Sequence, residues 1–211
     1  MSFDLLAPHY RWMEALCAGG QLQRCRTALL GAIHSPRSAL VYGEGNGRFL
    51  VELLRHFPEV RVTVVEASRV MIDLARARLL REGLDGAQVE FIHADALTWH
   101  PPAAVFDLIV TCFFLDCFRE DQLQKLIPVI AAAAKGDAQW LLADFQIARA
   151  GVWRVCSRLI VGFLYGFFRW ATGLSATELV PVEPYLSGEK FTRCERREFL
   201  WGLLFCECWR R

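Results

Sequence analysis

The sequence predicts an α/β fold in which a mostly parallel sheet carries helices on both faces. Between residues 39 and 144, short apolar segments alternate with segments of helical periodicity, and such alternation favours a parallel sheet. The first apolar segment, Ala39 to Tyr42, runs into Gly43-Glu44-Gly45-Asn46-Gly47. Glycine at every second position lets a ligand lie directly against the backbone. Since ligands of parallel sheets bind beyond the carboxyl ends of the strands, we expect a site at this edge.

The elements follow in order along the chain. Two helical patterns come first, at 5–17 and 20–33, and Pro36 ends the second. Apolar runs predict five core strands, at 39–42, 61–66, 88–92, 106–111 and 138–144. Helical spacing predicts the helices between them, at 47–56, 68–82 and 119–134. Beyond residue 145 we predict a long aromatic helix at 152–173, a short helix at 182–187 and two closing strands at 191–198 and 203–209.

We expect a single domain over residues 1–211, because no linker composition separates a second one. Its parts are an N-terminal helical cap over 1–36, a cofactor-binding core over 37–145, and a lid helix with closing strands over 146–211.

Composition narrows the function classes. Apolar residues make up 54% of the 211 and aromatic residues 12%, with a mean hydropathy of +0.25, which favours a hydrophobic ligand or a membrane contact. A net charge of +1 provides no basic field for DNA or RNA. The N-terminus lacks the pattern of a secretory signal, so we expect a cytoplasmic protein. Eight cysteines without a C-x-x-C pair predict free thiols and no metal site.

The spacing of the glycines decides between ligands. A dinucleotide fingerprint needs G-x-G-x-x-G, and Arg48 takes the place of its third glycine. An ordinary strand-to-helix turn is the alternative interpretation. Two acids favour a binding site, since Glu66 ends the second strand and Asp95 follows the third. Each has a plainer alternative, as a solvated strand-end residue and as a capping aspartate.

The full order of motifs resembles one family. After the glycine loop and the two acids come Phe106-Asp107-Leu108-Ile109-Val110 and Trp140-Leu141-Leu142-Ala143-Asp144. Over nearly the whole chain this order resembles the class I S-adenosylmethionine (SAM) dependent methyltransferases. The opening Phe3-Asp4-Leu5-Leu6-Ala7-Pro8-His9-Tyr10 is similar to the F-D-x-x-A-x-x-Y start of a branch that includes quinone-biosynthesis and other small-molecule methyltransferases. The resemblance implies a Rossmann-like sheet of seven strands with an antiparallel closing strand, SAM as cofactor and S-adenosylhomocysteine as product.

The resemblance also assigns a cofactor shell. Its residues are Tyr10, Gly43, Glu44, Gly45, Gly47, Glu66, Ala67, Met71, Asp95, Ala96, Thr111 and Cys112. It implies that Tyr10 closes over the cofactor and that the Glu44 backbone lies near the methionine amino group. It also implies that Glu66 takes the ribose hydroxyls, that Ala67 and Met71 flank the adenine, and that Asp95 and Ala96 bind its edge. Thr111 and Cys112 would lie beside the sulfonium.

One position departs from the family's pattern. The family carries an acidic residue two positions before the first glycine, and here that residue is Val41. Glu44 lies three residues further along and is expected to substitute only in part. We therefore expect altered contacts at the amino acid end of the cofactor.

Catalysis of methyl transfer depends mainly on alignment and on exclusion of water. A phenol, a carboxylate or an activated carbon as acceptor can still need a base. The candidates near the strand ends are Asp116, His9 and Tyr10, and each has a structural role as its alternative. Asp116 stands among three phenylalanines between 113 and 118, where a carboxylate is unusual.

The helix predicted over 152–173 combines arginine with aromatic residues. At about 100° per residue, Arg154, Arg158, Tyr165 and Arg169 share one sector. Its uninterrupted apolar run, 159–168, is about half of what a bilayer crossing needs, so we expect no span. The helix is either a lid over the substrate pocket or a contact surface for a membrane or a homodimer partner.

The sequence thus predicts a SAM-dependent methyltransferase for a small, hydrophobic or aromatic acceptor. The alternative is a non-catalytic SAM-fold binding module that acts as a peripheral membrane or protein-interaction partner, which Val41 and the lack of an obvious base support. A nicotinamide enzyme is disfavoured by Arg48. Neither the acceptor nor the methylated atom, oxygen, carbon or nitrogen, follows from the sequence.

Overall fold

The computed structural model describes residues 20–173 and 176–211. Within these ranges seven strands form one sheet in the order β3-β2-β1-β4-β5-β7-β6. The strands are β1 Ser38–Tyr42, β2 Arg61–Glu66, β3 Val89–His93, β4 Phe106–Cys112, β5 Ala134–Phe145, β6 Thr192–Phe199 and β7 Leu204–Arg210. β7 is antiparallel to both of its neighbours, and the other neighbouring strands are parallel. This confirms the predicted Rossmann-like sheet.

Helices cover both faces of this sheet. In the described ranges they are α1 Gln21–Thr27, α2 Arg48–His56, α3 Arg69–Arg81, α4 Glu120–Ala133, α5 Gly151–Thr172 and α6 Glu183–Gly188. Alternate residues of a strand enter two separate hydrophobic clusters, as Val41 and its neighbour Leu40 do. α1, α2 and α5 contribute to the cluster of Val41, and α4 and α6 contribute to the other. The two-sided core accounts for the nearly continuous apolar runs of the strands.

The order of the strands positions the site. β1 pairs with β2 on one side and with β4 on the other, so the chain reverses its direction of travel across the sheet after β3. A crevice beyond the carboxyl ends of β1 and β4 is expected at such a point. The loops that follow these strands therefore meet there.

Two helix boundaries follow from local chemistry. The Ser68 hydroxyl accepts a hydrogen bond from the Met71 N–H at 3.2 Å and begins α3 as an N-cap. The predicted helix 20–33 is shorter than expected, because α1 ends at Thr27 and a separate 3-10 turn, Leu30–Ala32, follows. At this end the Thr27 hydroxyl bonds back to the Gln23 carbonyl at 2.8 Å, a contact that competes with regular helix. The predicted helix 5–17 lies outside the described residues.

α5 satisfies the length and composition of a membrane span. Among the described residues one segment, Gly151–Ala171, is long and apolar enough to cross a bilayer, with a mean hydropathy of 1.2 and 17% of it buried. Its buried residues include Ser157, Val161 and Tyr165, which face the domain. Length and composition alone therefore do not make this helix a membrane crossing.

Candidate active site

A cavity of about 210 Å³ lies at the carboxyl ends of the strands. Loops after β1, β2 and β3, with the start of α3, form what we call the loop half: Gly43, Gly45, Val65, Glu66, Ala67, Met71, Ala94, Asp95, Ala96 and Leu97. The segment after β4, the end of β5 and the inner face of α5 form the aromatic half: Phe113, Phe114, Asp116, Cys117, Phe118, Phe145, Val161, Leu164, Tyr165 and Phe168. The two halves are continuous, so a molecule bound at one half would adjoin a molecule bound at the other.

The structure brings most of the described site predictions onto this wall. Those that line the cavity are Gly43, Gly45, Glu66, Ala67, Met71, Asp95, Ala96 and Asp116. His9 and Tyr10 lie outside the described residues. Glu44, Gly47, Thr111 and Cys112 are absent from the cavity wall, which departs from the prediction.

Thr111 and Cys112 lie off the cavity wall, and their contact with a sulfonium stays a prediction. β4 continues to Cys112, so both residues belong to the strand and not to the loop beyond it. The Thr111 hydroxyl is buried and accepts a hydrogen bond from Trp140 Nε1 at 2.8 Å, while Cys112 packs against the core. Phe113 and Phe114 line the cavity wall where Thr111 and Cys112 were expected.

The glycines of the loop serve different purposes. A Cβ on Gly43 would lie 2.6 Å from the Phe114 ring, and one on Gly47 would lie 2.8 Å from the Ala75 backbone. Packing therefore requires glycine at both positions, and Gly47 lets α2 and α3 approach each other. A Cβ on Gly45 would meet no protein atom within 4 Å, although its φ is +66°. Only at Gly45 does the loop leave open space beside the cavity.

The acids of the loop half are held by backbone N–H groups. Glu66 accepts from the Gly45 N–H at 3.1 Å and from the Ser68 N–H at 3.0 Å. Asp95 accepts from the Leu97 N–H at 2.9 Å. These bonds fix the direction of each carboxylate, because a charge-assisted bond to backbone is strong and the backbone itself is rigid. Both acids are thus preorganised hydrogen-bond acceptors on the cavity wall.

Glu44 has a structural role that its sequence position did not reveal. Its carboxylate is buried and accepts from the N–H groups of Phe49 and Leu50 at 3.1 and 3.0 Å, so it caps the start of α2. Burial raises its pKa to about 7, against the lowering effect of these bonds and of the Arg26 charge. Val41 lies in the core. Neither side chain lines the cavity, so neither supplies an acid at the position where the family carries one.

Two carboxyl groups meet at the aromatic half: the half-buried Asp116, which lines the cavity, and the buried Asp144 beside it. The Asp116 N–H donates to Asp144 Oδ2 at 3.1 Å, and Asp144 Oδ1 also accepts from the Phe145 N–H at 2.9 Å. Burial raises the pKa of Asp116 to about 6. Burial and the neighbouring Asp116 charge raise the pKa of Asp144 well above its usual value. Two carboxyl groups this close disfavour each other's ionisation, so the pair loses its protons at higher pH than two separate aspartates would.

α5 closes the cavity above this pair. Tyr165 donates from its hydroxyl to the Asp116 backbone carbonyl at 2.8 Å and fixes the turn that carries Asp116. Within the sector that Tyr165 shares with three arginines, Tyr165 is buried while Arg154, Arg158 and Arg169 are exposed. Tyr165 and the three arginines differ little in angle around the helix axis. Which of them is buried therefore depends on the surface against which the helix packs.

Sequence analysis missed Asp144 and Arg26 as members of the site region. Asp144 is the next-to-last residue of the apolar strand β5, and Glu66 is the last residue of β2, so the signal that found Glu66 could have found Asp144. Arg26 is buried and its guanidinium lies 5.3 Å from the Phe113 ring centroid. No local signal distinguishes Arg26 from Arg24, the other arginine of α1. Across residues 20–173 and 176–211, no group of three or more His, Cys, Asp or Glu side chains could hold a metal ion.

Comparisons with known proteins agree with this geometry. Residues 39–137 match the family model described as "Methyltransferase domain". A demethylmenaquinone methyltransferase from Deinococcus radiodurans is 32% identical over 159 residues, which are 74% of this chain and 64% of the relative. A malonyl-[acyl-carrier protein] O-methyltransferase from Paenibacillus is 32% identical over 116 residues, 53% of this chain and 40% of the relative.

Solved structures share the fold at low sequence identity. The mitomycin 7-O-methyltransferase structure has a TM-score of 0.73 at 21% identity. The alignment covers 100% of this chain and 61% of the mitomycin enzyme's chain. A Burkholderia thailandensis 1,6-didemethyltoxoflavin-N1-methyltransferase, solved with S-adenosylhomocysteine bound, has a TM-score of 0.67 at 16% identity, covering 99% of this chain and 84% of its own. This chain spans between 21% and 64% of the length of four curated relatives.

Proposed function

We propose that this chain is a class I SAM-dependent methyltransferase that transfers a methyl group from SAM to a small, hydrophobic acceptor, supported by the methyltransferase-domain match over residues 39–137, the similar methyltransferases and the shared fold. The observation that carries the proposal is the one cavity with two chemically different halves. The loop half offers fixed hydrogen-bond acceptors beside open backbone. The aromatic half offers an apolar surface with one carboxyl group, Asp116.

The loop half fits the cofactor. A nucleoside needs acceptors for its ribose hydroxyls and its adenine amino group, and Glu66 and Asp95 are carboxylates on the wall. Gly45 leaves the space that a ligand lying against the backbone requires. Ala67 and Met71 add apolar surface for the faces of a purine. When bound, SAM supplies a methyl group that is electrophilic because it is attached to a sulfonium.

The aromatic half suits a ring-containing acceptor with a weakly acidic group. Phenylalanine side chains from the segment after β4, from β5 and from α5 surround Asp116, and flat apolar molecules pack well against such rings. Asp116 is placed to accept the proton that an acceptor hydroxyl loses as it is methylated, because its pKa of about 6 leaves it ionised at neutral pH. Water competes less in such an enclosed space.

The acceptor class is tested with quinone-like and other ring-containing molecules, which the names of similar methyltransferases suggest. Demethylmenaquinone and mitomycin methyltransferases are among the similar proteins. We expect turnover with a lipophilic phenol or hydroquinone and none with a small polar alcohol. Methyl transfer is measured with labelled SAM against a panel graded by hydrophobicity and by hydroxyl pKa.

A glycine pair separates cofactor binding from loss of folding. Gly45→Val fills the open space beside the cavity and is expected to weaken SAM binding at least tenfold in calorimetry. Gly83→Val is the matched control, because Gly83 has a φ of +69° and also no atom within 4 Å of a Cβ, but it does not line the cavity. Equal SAM affinity in both variants would show that the nucleoside does not lie in the loop half.

The alternative of a non-catalytic binding module makes a different prediction. It expects SAM binding without turnover on any acceptor, and the similar proteins, which are named as methyltransferases, do not favour it. Tight SAM binding with no product across the whole panel would support the module over the enzyme.

A further inference from the structure

We propose that the outer face of α5 docks this protein on an anionic membrane surface. We define the outer face as Val152, Val155, Leu159, Phe163 and Trp170, all exposed. The inference goes beyond methyl transfer and does not depend on it, because vesicle binding can be measured without any acceptor.

The outer face is one continuous apolar strip. At about 100° per residue its five side chains fall within roughly 80° of arc, on the side of α5 opposite to Val161. Leu159 is 70% exposed, Phe163 71% and Trp170 84%. Large apolar side chains scattered singly on a surface need no explanation, but a strip on one helix marks an interaction site.

Arginines line one flank of this strip. Arg154, Arg158 and Arg169 are exposed, and on the helix they lie between the outer face and the buried face. α5 contains no aspartate or glutamate. Long arginine side chains at this angle reach phosphate groups while the apolar strip enters the acyl boundary. The charge therefore complements an anionic lipid surface.

Tryptophans extend the strip at one end of α5. The indoles of Trp153 and Trp201 stack with centroids 4.2 Å apart and planes 5° apart. Trp201 lies in the turn between β6 and β7, where Leu200 and Trp201 have φ of +48° and +56°. This conformation is unfavourable for residues other than glycine, and here it accompanies an indole that stays 66% exposed. Tryptophan is the side chain that favours the boundary between lipid and water.

The charges favour lipid over a second copy of this chain. A two-fold contact through the outer face would bring a second set of the three arginines to the same interface, and α5 carries no acid to pair with them. α5 also contributes Val161 and Tyr165 to the cavity wall, so a helix crossing the bilayer would have to leave the site. A helix lying in the membrane surface keeps both faces in use.

The test is co-sedimentation of the full chain with vesicles of phosphatidylcholine, with and without phosphatidylglycerol. We expect binding that grows with the phosphatidylglycerol fraction and falls with salt. Leu159→Glu with Phe163→Glu is expected to reduce binding at least tenfold. Leu80→Glu is the matched control, because Leu80 is 76% exposed on α3 and lies outside the strip; it should bind as the unaltered chain does.

Arginine variants test the charge separately. Each of Arg154→Gln, Arg158→Gln and Arg169→Gln is expected to lower binding to phosphatidylglycerol vesicles about fivefold, and to change binding to pure phosphatidylcholine little. The proposal is overturned if the unaltered chain fails to bind vesicles, or if Leu80→Glu weakens binding as much as the outer-face variant does. It is also overturned if the unaltered chain is a dimer, the outer-face variant is a monomer, and neither protein binds vesicles. The outer face would then be a contact between two copies of this chain.

Discussion

The two halves of the cavity use their carboxyl groups in opposite ways. In the loop half, Glu66 and Asp95 accept hydrogen bonds from backbone N–H groups, which fix the direction of each side chain. At the aromatic half, Asp116 lines the cavity with the buried Asp144 beside it, and desolvation raises the pKa values of both. The first arrangement suits recognition, which needs fixed acceptors. The second suits proton transfer, which needs a group that changes its charge near neutral pH.

The difference comes from position as much as from residue type. All four are carboxylates at or just beyond the ends of strands. Glu66 and Asp95 stand where a loop turns back with N–H groups pointing towards them, whereas Asp116 lies among aromatic rings with a second acid beside it. The same side chain therefore becomes an acceptor or a base according to its neighbours.

The largest effect is expected from Asp116→Asn. Loss of a general base costs about 10²- to 10⁴-fold in rate, so kcat/KM should fall at least a hundredfold with a weakly acidic hydroxyl acceptor. In the unaltered protein kcat/KM should rise as the pH passes about 6, where Asp116 loses its proton. The variant should lack this rise and keep its affinity for SAM, measured by calorimetry. If kcat/KM of the variant still rises as the pH passes about 6, Asp116 is not the general base.

Glu44→Gln should flatten the pH dependence of stability. The folded-state pKa of about 7 exceeds the ordinary 4.5, so the folded protein holds a proton that the unfolded chain releases. This contribution is complete below about pH 4.5 and is lost as the pH rises through about 7, which amounts to on the order of 3 kcal/mol. Glutamine cannot ionise and still accepts from Phe49 and Leu50. The free energy of unfolding is measured in urea at pH 5 and at pH 8 for both proteins. The same change between the two pH values in both proteins would contradict the prediction.

Glu66→Ala and Asp95→Ala should each weaken SAM binding by about 1–3 kcal/mol. Each removes an acceptor of charge-assisted hydrogen bonds in the loop half, and the acceptor KM should change little. Glu90→Ala, at an exposed residue of β3, is the control and should bind SAM normally. Unaltered SAM affinity in both site variants would place the nucleoside elsewhere.

The smallest effect is expected from Tyr165→Phe. It removes the hydrogen bond to the Asp116 carbonyl, worth about 1 kcal/mol, while the ring keeps packing in the cavity wall. Activity should fall severalfold through kcat, with the pH rise near 6 retained. A change confined to KM would mean that Tyr165 contacts the acceptor and does not position Asp116.

Much of the loop half could be predicted from the sequence. Gly43, Gly45, Glu66 and Asp95 stand directly after strands, and a strand's end is visible in its apolar pattern. β4 runs one residue beyond the predicted 106–111, to Cys112, so the cavity wall begins at Phe113 and the contact of Thr111 and Cys112 with a sulfonium stays a prediction. Strand boundaries are the least certain part of such a pattern.

The sequence by itself determined the sheet, the glycine loop and the acids that follow each strand, since periodicity and turn chemistry act between neighbouring residues. Only the tertiary structure decided that Asp144 of β5 meets Asp116, 28 residues away, because β4 and β5 become neighbours through the strand order. It also decided that Tyr165 faces inwards and Phe163 outwards on α5. A helix with apolar residues on several sides does not encode which side is buried, and the surface against which it packs makes that choice.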